Sequence, residues 1–224
     1  APPTLEGWFV SHDRYTIDWA RWNALPENRR EETAAELATV LGAIATMGSG
    51  DSALYATLGQ KGDVLVLHFR ETLEALKEAE LGLRNLAIAG VLRDAGSSIS
   101  VIEVGLYEAT AIAQRKLADR GIAPESPAWN DAFEAEMAIQ RQRLEARLRP
   151  VIPSAKWLCW YPMDKRREVG ANWYTLDLEE RRALMRGHGR VGHRYHGQVT
   201  QIIGGSIGLD DHEWGVSLFA DDPL

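Results

Sequence analysis

The sequence predicts an α+β fold made of two ferredoxin-like β-α-β-β-α-β repeats, of the dimeric α+β barrel type. The second repeat is expected to be truncated at the C-terminus. Three observations lead there. Strand-like and helix-like apolar runs alternate in the order β-α-β-β-α-β over residues 5–106. The order starts again near residue 157. A strand pair around a glycine-bearing turn also holds the same place in both halves, at 53–69 and at 198–219.

Residues 5–12 read as the first strand. Pro26 and Glu27 then open a helix to about Met47, with Leu37, Val40, Leu41 and Ile44 as its buried stripe, and Gly48-Ser49-Gly50 ends it. Strands are expected at 53–58 and 63–69 around a turn from Gly59 to Gly62. A second helix, 71–92, would turn Leu73, Leu76, Leu83 and Leu86 inward, and a strand at 97–106 closes the repeat. This assigns residues 1–107 to an N-terminal repeat. Residues 108–153, polar and punctuated by Pro124, Pro127, Pro150 and Pro153, read as a partly helical linker with a solvated face and a late helix at 129–148.

The C-terminal repeat, 154–224, begins with a strand at 157–161. Asp177 and Glu180 have the spacing of a capping box, so a helix follows from Leu178 to about Tyr195. Strands at 198–203 and 213–219 flank a turn containing Gly204, Gly205 and Ser206. The chain then stops where the repeat calls for another helix and strand. The expectation is a lost C-terminus, because a half-built sheet leaves an open edge.

Composition narrows the function. Of the 224 residues, 45% are apolar and 25% charged, as in ordinary globular proteins. A net charge of −7 argues against general affinity for nucleic acid or anionic membrane. Cys159 is the single cysteine, so no intrachain disulfide forms, and a cytoplasmic, reducing location is expected.

The chemistry concentrates between Trp157 and Gln201. In an extended Tyr161-Pro162-Met163-Asp164-Lys165, alternate side chains share a face, so a phenol, a thioether and an ammonium form one row. Such a row makes a poor core and a plausible site wall. On the following helix Leu184, His188, Val191 and Tyr195 fall on one stripe. Gly187 and Gly189 clear side chains from beside the His188 imidazole, which could ligate a metal held in something flat and bulky. His193 and His196 are near, but their spacing from His188 is not that of a helical zinc pair.

Several strings carry a family resemblance. They are Leu5-Glu6-Gly7-Trp8, Asp18-Trp19-Ala20-Arg21-Trp22, Arg147-Leu148-Arg149-Pro150, Tyr161-Pro162-Met163, Asn172-Trp173-Tyr174, His188-Gly189, Gly208-Leu209-Asp210-Asp211 and Glu213-Trp214-Gly215-Val216. With them the sequence resembles the haem-dependent chlorite dismutase-like superfamily, and most of all its coproheme decarboxylase branch, the peroxide-dependent haem synthases. The linker is longer than that family's usual one.

The resemblance implies oxidative decarboxylation of two propionates of iron coproporphyrin III (coproheme) to vinyls. Hydrogen peroxide is the oxidant, haem b the product, and the porphyrin both substrate and redox cofactor. It implies His188 as proximal iron ligand and Tyr161 as the residue that becomes a radical and takes hydrogen from the propionate β-carbon. Lys165 is implied as propionate partner and proton source, and Arg147 as a propionate-binding guanidinium. Met163 and Trp173 are implied as pocket neighbours, although Trp173 reads equally as core. Gln201 stands thirteen residues beyond His188, where chlorite dismutases resemble one another in carrying an arginine. A neutral amide there fits the decarboxylases instead. The resemblance further implies a homopentamer and a transient contact with a coproporphyrin ferrochelatase. Two alternatives stay open: a chlorite dismutase-like or general haem peroxidase, and a non-catalytic haem-binding or delivery protein.

Overall fold

A computed structural model describes residues 4–46 and 49–223. Its contacts divide the chain into two compact units, each discontinuous in sequence. The larger comprises Trp8–Ile102, Val151–Asp164 and the chain from Gln198 onward; the smaller comprises the chain up to Gly7, Glu103–Pro150 and Lys165–Gly197.

The larger unit is organised by a sheet of seven strands. They are β1 (Thr4–Ile17), β2 (Gly50–Ala56), β3 (Val64–Arg70), β4 (Leu92–Gly105), β5 (Trp157–Met163), β8 (Val199–Gly205) and β9 (Trp214–Ala220). Their order across the sheet is β2-β3-β1-β4-β8-β9-β5. Two neighbourhoods share one order: β2-β3-β1 in the first repeat and β8-β9-β5 in the second, both antiparallel. They join where β4 pairs with β8, Val101 opposite Gly205 and Ile102 opposite Gly204. The predicted α+β class and the duplicated ferredoxin-like order are therefore present.

Alternation along the strands sorts the core. Trp8, Val10, Leu67, Phe69, Ile102 and Phe219 pack together on the inner face. On the outer face of the first repeat, Tyr15 and Val66 pack with Leu83 of α3 (Leu73–Arg84) and with Leu37 and Leu41 of α2 (Glu27–Thr46). This face also buries polar groups. Ser11 Oγ donates to Asp13 at 3.0 Å, and Ser52 Oγ lies 2.7 Å from His68 Nδ1. Arg70 donates to Ile44 O at 3.0 Å and to Ser52 Oγ at 2.6 Å, which fastens α2 to the sheet.

Several elements differ from expectation. β1 runs on to Ile17, because Ser11 and Asp13 are buried under helices and not on a solvent face. A short helix, α1 (Trp19–Ala24), follows, capped by Asp18 accepting from Arg21 N. The helix expected over 71–92 ends at Arg84, after which Ala87–Gly90 form a 3₁₀ turn and Leu92 opens β4. Leu73, expected inward, is exposed at the first position after its Thr72 cap. The helix end expected at Met47 and Gly48 lies outside the described residues.

The smaller unit holds α4 (Tyr107–Asp119) and α5 (Pro127–Leu148), which pack on one another. Leu106, Ala113 and Met137 form their buried centre, with Leu5, Phe133 and Leu144 around it. The stretch expected to be a partly helical linker with a solvated face holds its late helix as α5 and also buries a core of its own, with charges on its rim such as Lys116 and Glu136, 3.0 Å apart. Gly7 is pressed against the Leu148 backbone, which leaves no room for a β-carbon. Then come a hairpin of β6 (Arg167–Glu168) and β7 (Ala171–Asn172), turning at Gly170 with φ +81°, and the helix α6 (Leu178–His193). Among the described residues no helix is long and apolar enough to cross a membrane.

Candidate functional site

Strand register in the larger unit brings several of the singled-out residues onto one surface. Gln201 lies opposite Leu218, which lies opposite Cys159; Ile203, Val216 and Tyr161 form the next row, and Gly205, Trp214 and Met163 the one after. Tyr161, Met163, Cys159 and Gln201 therefore share the outer face of β8-β9-β5. Two strand spacings, about 9.6 Å, separate the Gln201 strand from the Tyr161 strand. Tyr161 is 40% exposed, and Cys159 and Gln201 are exposed as well. The centre of this face is closed, with Val216 at 1%, as is the centre of the equivalent face of the first repeat, with Val66 at 2%; the exposed positions lie on the strands that flank β9.

Just past β5 the backbone is pinned. Asp164 accepts from Glu213 N at 2.8 Å and sits 2.7 Å from His212 Nδ1. That hydrogen bond to Asp164 raises the His212 pKa above its ordinary value. It ties the Tyr161-Pro162-Met163 strand to the loop entering β9. The sequence reading missed this pair, which depends on a contact across forty-eight positions.

The strand stops at Met163, so alternation does not place Lys165 beside Tyr161 as expected. In the smaller unit the Lys165 ammonium lies 4.8 Å from the centre of the Trp173 ring, and the Arg181 guanidinium 5.8 Å from the same ring. Arg181 also donates to Tyr174 O at 2.9 Å, and Arg167 lies over the Tyr174 ring at 4.9 Å. Trp173 is thus a half-buried platform for two cations, a role favoured by its negative ring face. Its 3₁₀ turn is set by Asn172 Oδ1 accepting from Tyr174 N.

The expected capping box opens α6: Asp177 accepts from Glu180 N and Glu180 accepts from Asp177 N, each at 2.8 Å. None of the helix is buried. Leu184 is 55% and Val191 52% exposed, His188 between them is exposed, and Tyr195 lies beyond the helix end. A β-carbon at Gly187 or Gly189 would meet nothing within 4 Å, so the imidazole stands in open space. No hydrogen bond to its ring is made among the described residues. Ala183, Arg186, Gly189, Arg190 and His193 border a cavity of about 740 Å³. Arg186 and Arg190 stand two positions from His188, roughly 200° around the helix, so this cavity belongs to another face of α6. Arg147, near the end of α5, is exposed.

Each unit by itself offers groups suited chemically to an iron porphyrin: the smaller an unencumbered imidazole and the cations Arg147 and Lys165 for carboxylates, the larger a redox-capable phenol on a face with a neutral amide.

The chain resembles known proteins over nearly its whole length. A heme-binding protein from Thermus thermophilus is 38% identical, with a TM-score of 0.79, over 100% of this chain and 81% of that one. A chlorite dismutase variant from Candidatus Nitrospira defluvii is 19% identical, with a TM-score of 0.69, over 97% of this chain and 78% of that one. The same protein in complex with imidazole gives a TM-score of 0.67 at 19% identity, over the same shares. At that identity the second and third matches speak to the fold alone. The chlorite dismutase family model matches residues 30–224, and this chain belongs to the chlorite dismutase family.

Proposed function

We propose that this protein binds iron coproporphyrin III and, with hydrogen peroxide, decarboxylates two of its propionates to give haem b. The observation that carries this reading is the outer face of β8-β9-β5, which presents an exposed Tyr161 and a neutral, exposed Gln201 on the two strands that flank β9. A redox phenol must reach its substrate, and an amide holds a chlorite-derived oxyanion less well than a guanidinium. The heme-binding description of the Thermus thermophilus relative supports porphyrin as the ligand class.

His188 is assigned as the iron ligand, and the cations Arg147 and Lys165 as partners of propionates. Met163 and Trp173 border the macrocycle. The bound iron porphyrin supplies the site at which peroxide is reduced. For each propionate the balance is –CH2–CH2–COO⁻ + H2O2 + H⁺ → –CH=CH2 + CO2 + 2 H2O. Tyr161 gives up its phenolic hydrogen and, as a phenoxyl radical, takes one from the propionate β-carbon. A second electron leaves the substrate as the carboxylate departs as carbon dioxide. Lys165 delivers the proton the balance requires. Assembly as a homopentamer and a transient contact with a coproporphyrin ferrochelatase, both in the cytoplasm, belong to the same proposal.

The test mixes the protein with iron coproporphyrin III, titrates hydrogen peroxide and follows the product mass. Two successive losses of a carboxyl with its hydrogen are expected for the wild type and none for Tyr161→Phe, which still binds. Undiminished turnover in Tyr161→Phe would refute the radical role. Tight binding with no mass change in the wild type would favour the second reading, haem binding without turnover; the Thermus thermophilus relative is described as heme-binding. Oxygen release from chlorite would instead mark a chlorite dismutase.

A further inference from the structure

The inner face of the sheet carries a polar constellation that the porphyrin reading does not use. His12 of β1 is 2% exposed, with Nε2 2.8 Å from Ser217 Oγ of β9. Its ring stacks on Trp160 of β5 at 5.0 Å, and the Arg14 guanidinium lies 5.7 Å from the Trp160 ring. Around this one indole three nitrogen atoms are shut off from solvent without a hydrogen-bond partner among the described residues: His12 Nδ1, Trp160 Nε1 and Arg14 Nε.

Trp160 Nε1 and Arg14 Nε are donors by constitution. Burial keeps His12 neutral, at a pKa of about 3, so one of its ring nitrogens carries hydrogen and the other is bare. If Ser217 donates to Nε2, the hydrogen sits on Nδ1 and all three are donors. Arg14 has no carboxylate partner among the described residues, so its charge is uncompensated there. Arg14 as a whole is half-buried, but its Nε is shut off from solvent, and buried donors without acceptors are costly.

We propose that the inner face binds a small monovalent anion of chloride size, held by Trp160 Nε1–H, Arg14 Nε–H and His12 Nδ1–H. One guanidinium and two neutral N–H groups balance a single negative charge. The backbone beside them is pared to glycine. Gly204 lies opposite Gly215, a β-carbon on Gly204 would run into Ser100 Oγ, and one on Gly215 would come to 3.2 Å of Trp160 Nε1. A methyl at 215 would take the place beside that N–H. This gives Gly215, in the Glu213-Trp214-Gly215-Val216 string, a reason to be glycine at an ordinary extended backbone.

Bromide is the probe. The full chain is moved into sodium sulfate, and bromide replaces sulfate at constant ionic strength while thermal unfolding is followed. Loss of sulfate lowers every midpoint alike, so the wild-type midpoint should rise relative to Arg14→Gln and Gly215→Ala with the logarithm of bromide concentration, as binding to the folded state requires. Crystals soaked in bromide should show an anomalous peak beside Trp160 Nε1, a reading that does not depend on either variant folding. Equal slopes in all proteins, or density there with no anomalous signal, as for water alone, would overturn the proposal.

Discussion

Asp13 offers a test of the burial argument with a defined sign and size. It is 4% exposed on the outer face of β1, and its carboxyl is raised from 3.8 to about 6. Desolvation is the main cause, only partly offset by the Ser11 hydroxyl. The folded state therefore prefers the protonated acid. This contribution is fully present below the unfolded value of 3.8 and is lost as pH rises through 6. A shift of that size corresponds to about 3 kcal/mol. Asp13→Asn keeps an oxygen to accept from Ser11 and removes the charge. The variant should match the wild type near pH 4 and be more stable by up to about 3 kcal/mol at pH 8, or roughly 10 °C in midpoint for a chain of this size. Urea unfolding at both pH values reads the difference directly. An Asn variant that is less stable at pH 8, or a difference that does not change with pH, would refute the reasoning.

Acid should work in the opposite direction on two histidines. His12 and His68, lowered by burial to about 3 and about 4, stay neutral in the fold and gain protons on unfolding. Stability should then fall as pH drops from 6.5 towards 4, most clearly in the Asp13→Asn background; a urea midpoint that stays constant over that window would exclude it. Leu83→Ala, which empties a side chain 2% exposed between α3 and the sheet, should cost about 2–5 kcal/mol in urea unfolding, and a loss below about 1 kcal/mol would mean that packing is loose. His188→Ala should weaken iron porphyrin binding by at least about tenfold in a Soret titration, and an unchanged spectrum and affinity would remove His188 as the ligand.

Where local pattern decides the structure, the sequence was readable. The Asp177–Glu180 capping box starts α6 where its spacing says, and the strand pair of 198–219 is β8 and β9. The second face of β5 followed from alternation at Tyr161 and Met163. Other features turn on non-local burial that no periodicity reports. Ser11, His12 and Asp13 look like the polar end of a strand and are instead buried on its two faces. Leu86 and Leu92 continue a helical spacing although the chain leaves the helix at Asn85, because both pack with Leu83, Leu86 from the turn after the helix and Leu92 from the start of β4. The helix α1 and the β6–β7 hairpin are too short to show a period, though Asp18 before Arg21 and Gly170 were available signals. The Asp164–His212 tie and the Trp160 cluster join distant segments, so only the register of β5 on β9 reveals them.

The joint between the two repeats is thin. Their seven strands form one sheet, but among the described residues β4 and β8 share only two residue pairs, at Val101 and Ile102, against the seven that hold β8 to β9. Ser100 Oγ is seated against Gly204 at that joint, which makes the seam intolerant of even a methyl group. Away from the ladder the two repeats are held by one inner-face core, in which Phe219 packs with Trp8, Val10 and Ile102, and by His12 against Ser217. Under heat the backbone ladder should open first at the seam, between the four strands of the first repeat and the three of the second, while the shared core keeps the halves together. Hydrogen exchange would then report early loss of protection confined to the facing ends of β4 and β8.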